Sequence, residues 1–410
     1  MTVHHPRSDG AHTAGATAES AAPEAVAASV ARPIPWLRVA GYQPHALHGP
    51  GVLWGERNCY VDVLVELLHA LRLEPRAMLG VCAAVDFEGD HVTFVKPSLE
   101  ELRHFYGIDV QELTLYRPLV AHAQEQLAMG RLVNAEVDAC WLPDTAGTDY
   151  HRQHVKTSVI MAELDVPGGR LGYFHNAGYH EVTGEDFERL LRLHAPHDPA
   201  YLPLYAELIR IDRVVHRPLR ELAALAWARL AVHVARRPAS NPIWRWGVRF
   251  AADLPQLQAG GLARYHAWAF ATTRQMGAAM ELLAAELWWL REFAPAGSSA
   301  HVALQQAASA FLRLSQGCKS FILKGARGVS TARPLDVTLL FDDMATAWEE
   351  GMAAMQEALR DGVEVPGADA PRASASQGAG GHPDDAKDGD GGHQRHHELA
   401  PDLPLLVVRA

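Results

Sequence analysis

Residues 54–73 read WGERNCYVDVLVELLHALRL, and the fold turns on this stretch. At about 100° per residue, Asp62, Glu66 and His69 fall on one narrow stripe, with Cys59 at its N-terminal end. Nearly every other position is apolar, so Cys59–Arg72 reads as a mostly buried helix with a single polar seam. A free cysteine usually behaves as a small hydrophobe and belongs on the apolar side. On the seam at a helix start it meets unsatisfied N–H groups and the positive dipole end, both of which favour thiolate. Cys59 is therefore a candidate nucleophile, and the competing reading is a half-buried inert thiol.

Around this helix, residues 50–190 alternate short strand-like and helical runs. Val92–Val95 is short, apolar and β-branched, Leu99–Tyr106 helical and Val110–Tyr116 strand-like. Pro118–Met129 is a helix with proline at its start. Leu132–Trp141, Val155–Leu164 and Leu171–Phe174 read as strands, the last two joined by the turn Pro167-Gly168-Gly169. The expectation is an α+β domain over 45–195 with an antiparallel sheet. From 200 to 361 the pattern is helical throughout, with runs at Leu219–Arg236, Ala263–Phe293, Ala300–Leu323 and Asp336–Leu359, which suggests an antiparallel helical bundle. Trp244, Trp246, Trp268, Trp288 and Trp289 read as packing residues there. Residues 1–33 and the Gly/Asp/His-rich stretch 362–410 carry too few large apolar side chains to offset ordering entropy, and read as disordered.

Composition narrows the function classes. The 410 residues hold 37 Lys plus Arg against 48 Asp plus Glu, a formal net charge of −11. That balance argues against nucleic acid or an anionic membrane as partner. No long uncharged apolar window points to a membrane span. Four cysteines far apart give no disulfide framework, and no secretory leader is recognisable, so a cytoplasmic location is expected. No GxxxxGK[ST], GxGxxG, GxSxG or HExxH pattern occurs, which leaves nucleotide, dinucleotide and serine-hydrolase chemistry without support and no cofactor expected.

A thiolate acting on acyl groups needs a histidine base and a group to orient it. The run DTAGTDYHRQHVKTSVIMAEL (144–164) places His154 at the mouth of a strand, with His151 as second choice. The next strand, GRLGYFHNAGY (169–179), ends at His175 and Asn176, and antiparallel pairing would bring Asn176 towards the His154 ring. Helix-borne Cys, strand-borne His and then Asn is the papain-type chain order. The Cys59 N–H and the Asn58 side chain are the candidate oxyanion donors. A Cys/His zinc site from Cys140, His151, His154 and His175 competes, but their spacing does not align ligands on a helix.

The stretches ERNCYVDVLVELLHAL, VDFEGDHVTFVKP, AEVDACWLPDTAGTDYHRQHVK and GYFHNAGYHEV resemble a bacterial domain-of-unknown-function family over roughly 45–360. More distantly, the cysteine, the strand ending in Asp138 with Leu-Pro (Pro143) after it, and the two histidines three apart are similar to the N-terminal domain of the butirosin acyltransferase, a papain-like fold. That resemblance implies Cys59 as acyl acceptor, His154 as base, Asn176 in the place often held by Asp, and Asp138 in a positioning role. It also implies an acyl carrier protein as donor and a small-molecule amine or hydroxyl as acceptor, with Arg57, Arg72 and Arg76 as the basic patch near the cysteine helix. The expected function is a cysteine acyltransferase. The alternatives are a cysteine peptidase or amidase using the same residues, and a non-catalytic binding protein.

Overall fold

A computed structural model describes residues 30–195, 204–331 and 335–360. The first 29 residues and the tail from 361, where disorder is expected, lie outside these. Helix α1 (Cys59–Ala70) begins at Asn58, whose side-chain oxygen accepts from the N–H groups of Tyr60 and Val61. Its valines are poor helix formers, but Val61, Val63, Val65, Leu67 and Leu68 are all completely buried. At about 1.5–3 kcal/mol per buried side chain, packing outweighs propensity here.

The α+β expectation holds. Strands β1 (Asp109–Glu112), β2 (Leu132–Asp138), β3 (Lys156–Asp165), β4 (Arg170–His175), β5 (Gly178–Thr183) and β6 (Ala206–Arg210) form one antiparallel sheet in the order β1-β6-β2-β3-β4-β5. Helix α1 packs on β3, β4 and β5. Helices α2 (Leu99–Tyr106), α3 (Leu119–Ala128) and α4 (Gly184–Leu190) complete this part. Strand β2 stops at Asp138 because that side chain accepts from the Cys140 N–H (3.1 Å), turning the chain into a 3₁₀ segment at Ala139–Trp141.

Two boundaries differ from the sequence reading. Region 200–361 is not helical throughout: β6 pairs with both β1 and β2, so the sheet extends to residue 210. This five-residue strand carries Glu207, a charge that disguises it. The buried carboxylate is satisfied by Tyr60 and Tyr205 hydroxyls (3.1 and 2.7 Å) and by the Asn134 amide (2.7 Å). At the other end, Ala31 bridges Leu164 and Arg32 pairs with Glu163, so the last residues assigned to the lead join the sheet.

The second half holds α5 (Leu219–Ala235), α6 (Pro242–Ala269, kinked at Gly261), α7 (Gln275–Arg291), α8 (Ser299–Thr331) and α9 (Thr338–Arg360). A π-helical turn, Phe270–Arg274, joins α6 to α7. Helix α8 packs on α7 and α9, and the 3₁₀ segment Pro75–Ala84 lies against α5 and α7. Among the described residues no helix is long and apolar enough to cross a membrane.

Two glycines are required by geometry. Gly107 ends α2 at φ 70°, where a Cβ would lie 2.0 Å from the Arg213 carbonyl oxygen. At Gly277 of α7 a Cβ would lie 2.4 Å from the Trp54 indole. We predict that Gly107→Ala destabilises by about 1–3 kcal/mol in chemical denaturation, through left-handed strain and the overlap. Gly147→Ala, where nothing lies within 4 Å, should stay within about 0.5 kcal/mol of the parent.

Candidate functional site

The polar seam of α1 is a buried clamp. Asp62 and Glu66 are fully buried, and both ring nitrogens of His48 face them: Nε2 donates to Asp62 Oδ1 (3.1 Å) and Nδ1 to Glu66 Oε1. Asp62 Oδ2 also accepts the N–H groups of Arg57 (2.8 Å) and Asn58 (3.1 Å). Glu66 takes the Tyr42 hydroxyl (2.6 Å) and the His45 N–H (3.0 Å). Burial opposes charge at all three groups but is outweighed. The two carboxylates hold His48 above the usual imidazole range, and His48 with the other donors holds Asp62 and Glu66 below the usual carboxylate range. His69, at the end of the seam, instead meets the Gln43 carbonyl oxygen (3.1 Å).

Helix α7 grips the same loop from the other side. Glu281 accepts from the N–H groups of Leu53 (2.6 Å) and Trp54 (3.3 Å) and from Arg57 Nε (3.2 Å). The Trp54 indole N–H donates to Ser315 Oγ of α8 (2.9 Å). The chain entering α1 is thus fixed by both halves of the protein.

Cys59 opens into a cleft of about 380 Å³. Its walls include Ser158 and Thr157 of β3, His175 and Asn176 at the end of β4, Lys96 and Tyr205, and Phe270, Arg274 and Gln275 from the helical half. The group facing the sulfur is a hydroxyl: Cys59 Sγ lies 3.8 Å from Ser158 Oγ. Among the described residues no histidine hydrogen-bonds Cys59. The other three cysteines are buried.

The remaining sequence candidates take these places. His154, with its side chain 74% exposed, directs Nδ1 at Asp138 Oδ2 (2.6 Å). Asp138 and Ser158 share one face of the sheet, because Glu136 lies opposite Ser158 and Asp138 opposite Lys156. At about 3.3 Å per residue, Asp138 is therefore roughly 7 Å along the sheet from the level of Ser158, and neither His154 nor Asp138 is among the residues lining the cleft of Cys59. The orienting group on His154 is this carboxylate rather than the Asn176 amide. Asn176 lies at the hairpin tip (φ 44°) and lines the cleft. His151 is engaged by Asp186 of α4 (2.7 Å). The Asn58 side chain has other partners: its oxygen caps α1, and its nitrogen donates to the Val95 carbonyl oxygen (2.9 Å). The first-turn N–H that this cap leaves over is that of Cys59.

A second chain of polar groups reaches the cleft unannounced by the sequence reading. Thr157 Oγ1 lies 2.8 Å from His175 Nε2, and His175 Nδ1 lies 2.5 Å from Asp144 Oδ2. Tyr173 donates its hydroxyl to the other oxygen of Asp144 (2.5 Å). Burial raises the Asp144 carboxyl, but hydrogen bonds from His175 and Tyr173 outweigh it and bring it below the ordinary value. The available signal was Asp144 directly after Pro143, facing strand-borne His175. Among the described residues no three His, Cys, Asp or Glu side chains are grouped to hold a metal ion. The four residues of the zinc alternative are spread over separate environments, with His151, His154 and His175 each on a different carboxylate.

The clamp predicts a pH signature. His48 is raised, so its share of stability is whole below about pH 6.5 and is lost as pH rises through its raised value. Asp62 and Glu66 are lowered, so their shares are whole above about pH 4 and are lost on acidification. His48→Gln should cost about 3–5 kcal/mol near pH 6, because two buried carboxylates lose their cation. Melting curves from pH 5 to 9 check this: the gap between variant and parent should narrow towards alkaline pH.

No curated protein matches the chain. The DUF1839 N-terminal domain matches residues 43–211, ending just after β6, and the DUF1839 C-terminal domain matches residues 219–357, the α5–α9 region. Together they span more than half of the sequence and follow the division between sheet and helices seen in the structure; the chain belongs to the DUF1839 family.

Proposed function

We propose that the cleft carries out cysteine-dependent acyl transfer. The Cys59 thiolate attacks the carbonyl of a thioester, the donor leaves as its thiolate, and an acyl-enzyme thioester forms. An amine or hydroxyl then attacks that carbonyl and gives its proton to His154 Nε2 while Asp138 holds Nδ1–H; Cys59 leaves as thiolate. The Cys59 N–H meets the oxyanion, a role worth about 3 kcal/mol. The observation that carries this reading is a thiol delivered by a capped, clamped helix start into a cleft that also receives polar side chains from the helical half. Helix-borne cysteine against an antiparallel sheet, with the histidine and Asn176 following in chain order, agrees with a papain-like arrangement. The donor in this reading is a thioester such as that of an acyl carrier protein.

A second reading draws on Thr157, His175 and Asp144. Hydroxyl, imidazole and carboxylate follow one another at 2.8 and 2.5 Å, the order that activates a hydroxyl nucleophile for hydrolysis.

Intact-protein mass after incubation with a short acyl thioester tests both. Cys59→Ser should abolish the acyl adduct. His154→Ala should leave the adduct but slow its transfer to an added amine by about 10²–10⁴-fold. An adduct that survives Cys59→Ser and disappears in Thr157→Val would favour the hydroxyl reading. No adduct in the parent protein would leave a binding cleft.

A further inference from the structure

The cleft wall that comes from the helical half is built unusually. A π-helical turn holds one residue more per turn than an α-helix, which re-aims the side chains at its end. Here the turn Phe270–Arg274 directs Phe270, Arg274 and the following Gln275 to the cleft that holds Cys59.

Arg274 has little to neutralise it. Its side chain is only 21% exposed, its nearest carboxylate is Glu56 at 3.9 Å, and its Nε has no hydrogen-bond partner. Burial pushes the guanidinium below its usual value, against the opposing pull of Glu56, Asp62 and Cys59. Its Cζ lies over the Phe270 ring, 4.5 Å from the centroid. Gln275, the next residue, is 6% exposed and lines the same cleft. A half-buried guanidinium with an unpartnered Nε on a cleft wall is costly unless a ligand brings the missing acceptor. Two-oxygen anions match the guanidinium fork.

We propose that Arg274 and Gln275 form a receptor for a substrate oxyanion, a carboxylate or phosphate group seated beside Cys59. The inference rests on the reading that substrates occupy this cleft, and it names their class: the molecule that meets Cys59 is an anion. The acyl donor or the acceptor would carry this group, a phosphate in the first case if the donor bears a phosphorylated arm, a carboxylate in the second if the acceptor is an amino acid.

The test compares two alkylating reagents of similar size, anionic iodoacetate and neutral iodoacetamide, with the rate at Cys59 read by peptide mass spectrometry. In the parent protein iodoacetate should gain from the receptor. Arg274→Gln should slow iodoacetate by about tenfold or more while iodoacetamide stays within about twofold, and Arg274→Lys should recover part of the loss. Inorganic phosphate and acetate should each protect Cys59, with the stronger protector identifying the kind of oxyanion. An unchanged ratio of the two rates in Arg274→Gln overturns the proposal. If that variant does not fold, as judged by its melting curve, failure of both ions to protect the parent protein overturns it instead. The outcome is separable from acyl transfer: an anion preference without any acyl adduct keeps the receptor and removes the transferase reading, and the reverse result removes the receptor alone.

Discussion

A single buried carboxylate governs the entry to the site. Asp62 accepts the N–H groups of Arg57 and Asn58 on one oxygen and faces His48 on the other, with no access to water. A charge in that position is tolerated only while all its donors stay in place. The chain before α1 therefore has one conformation open to it, and Asn58 is delivered as the cap that starts the helix at Cys59. Glu66 repeats the device one turn later with Tyr42, His45 and His48.

The helical half is tied to the same loop. Glu281 and Ser315 bind residues 53–57, and Gly277 leaves room for the Trp54 ring, so α7 and α8 set where the loop runs. The start of α7, with the π turn before it, then lines the cleft from its other side. Sheet and helices thus share one site, which gives a physical reason for the two matched domains to occur in one chain.

Much of the frame was legible in the sequence. Helix α1 was readable from its period, and strands β2, β3 and β4 from apolar β-branched runs between turn residues. The seam of Asp62 and Glu66 was visible too, but its purpose was not. Their partners Tyr42, His45 and His48 lie in an aperiodic segment that gives no pattern to read. Strand β6 was hidden because it is short and carries Glu207, whose charge is met by hydroxyls and an amide from elsewhere. Asp138 was seen as a positioning residue, yet its pairing with His154 depends on the β2–β3 register, which one sequence does not disclose. The π turn was unreadable for a simpler reason: one extra residue in a helical turn leaves composition and apolar content unchanged, while altering which side chains reach the cleft.

The claim that the clamp holds the site is most directly tested by hydrogen exchange at two backbone positions, the amides of Arg57 and Asn58. Loop amides commonly exchange through small local openings, whereas those bound to a buried charge exchange only when the surrounding structure opens. The account predicts protection of both amides close to that of the buried centre of α1. Exchange as fast as in the exposed bend at Gly89 and Asp90 would contradict it.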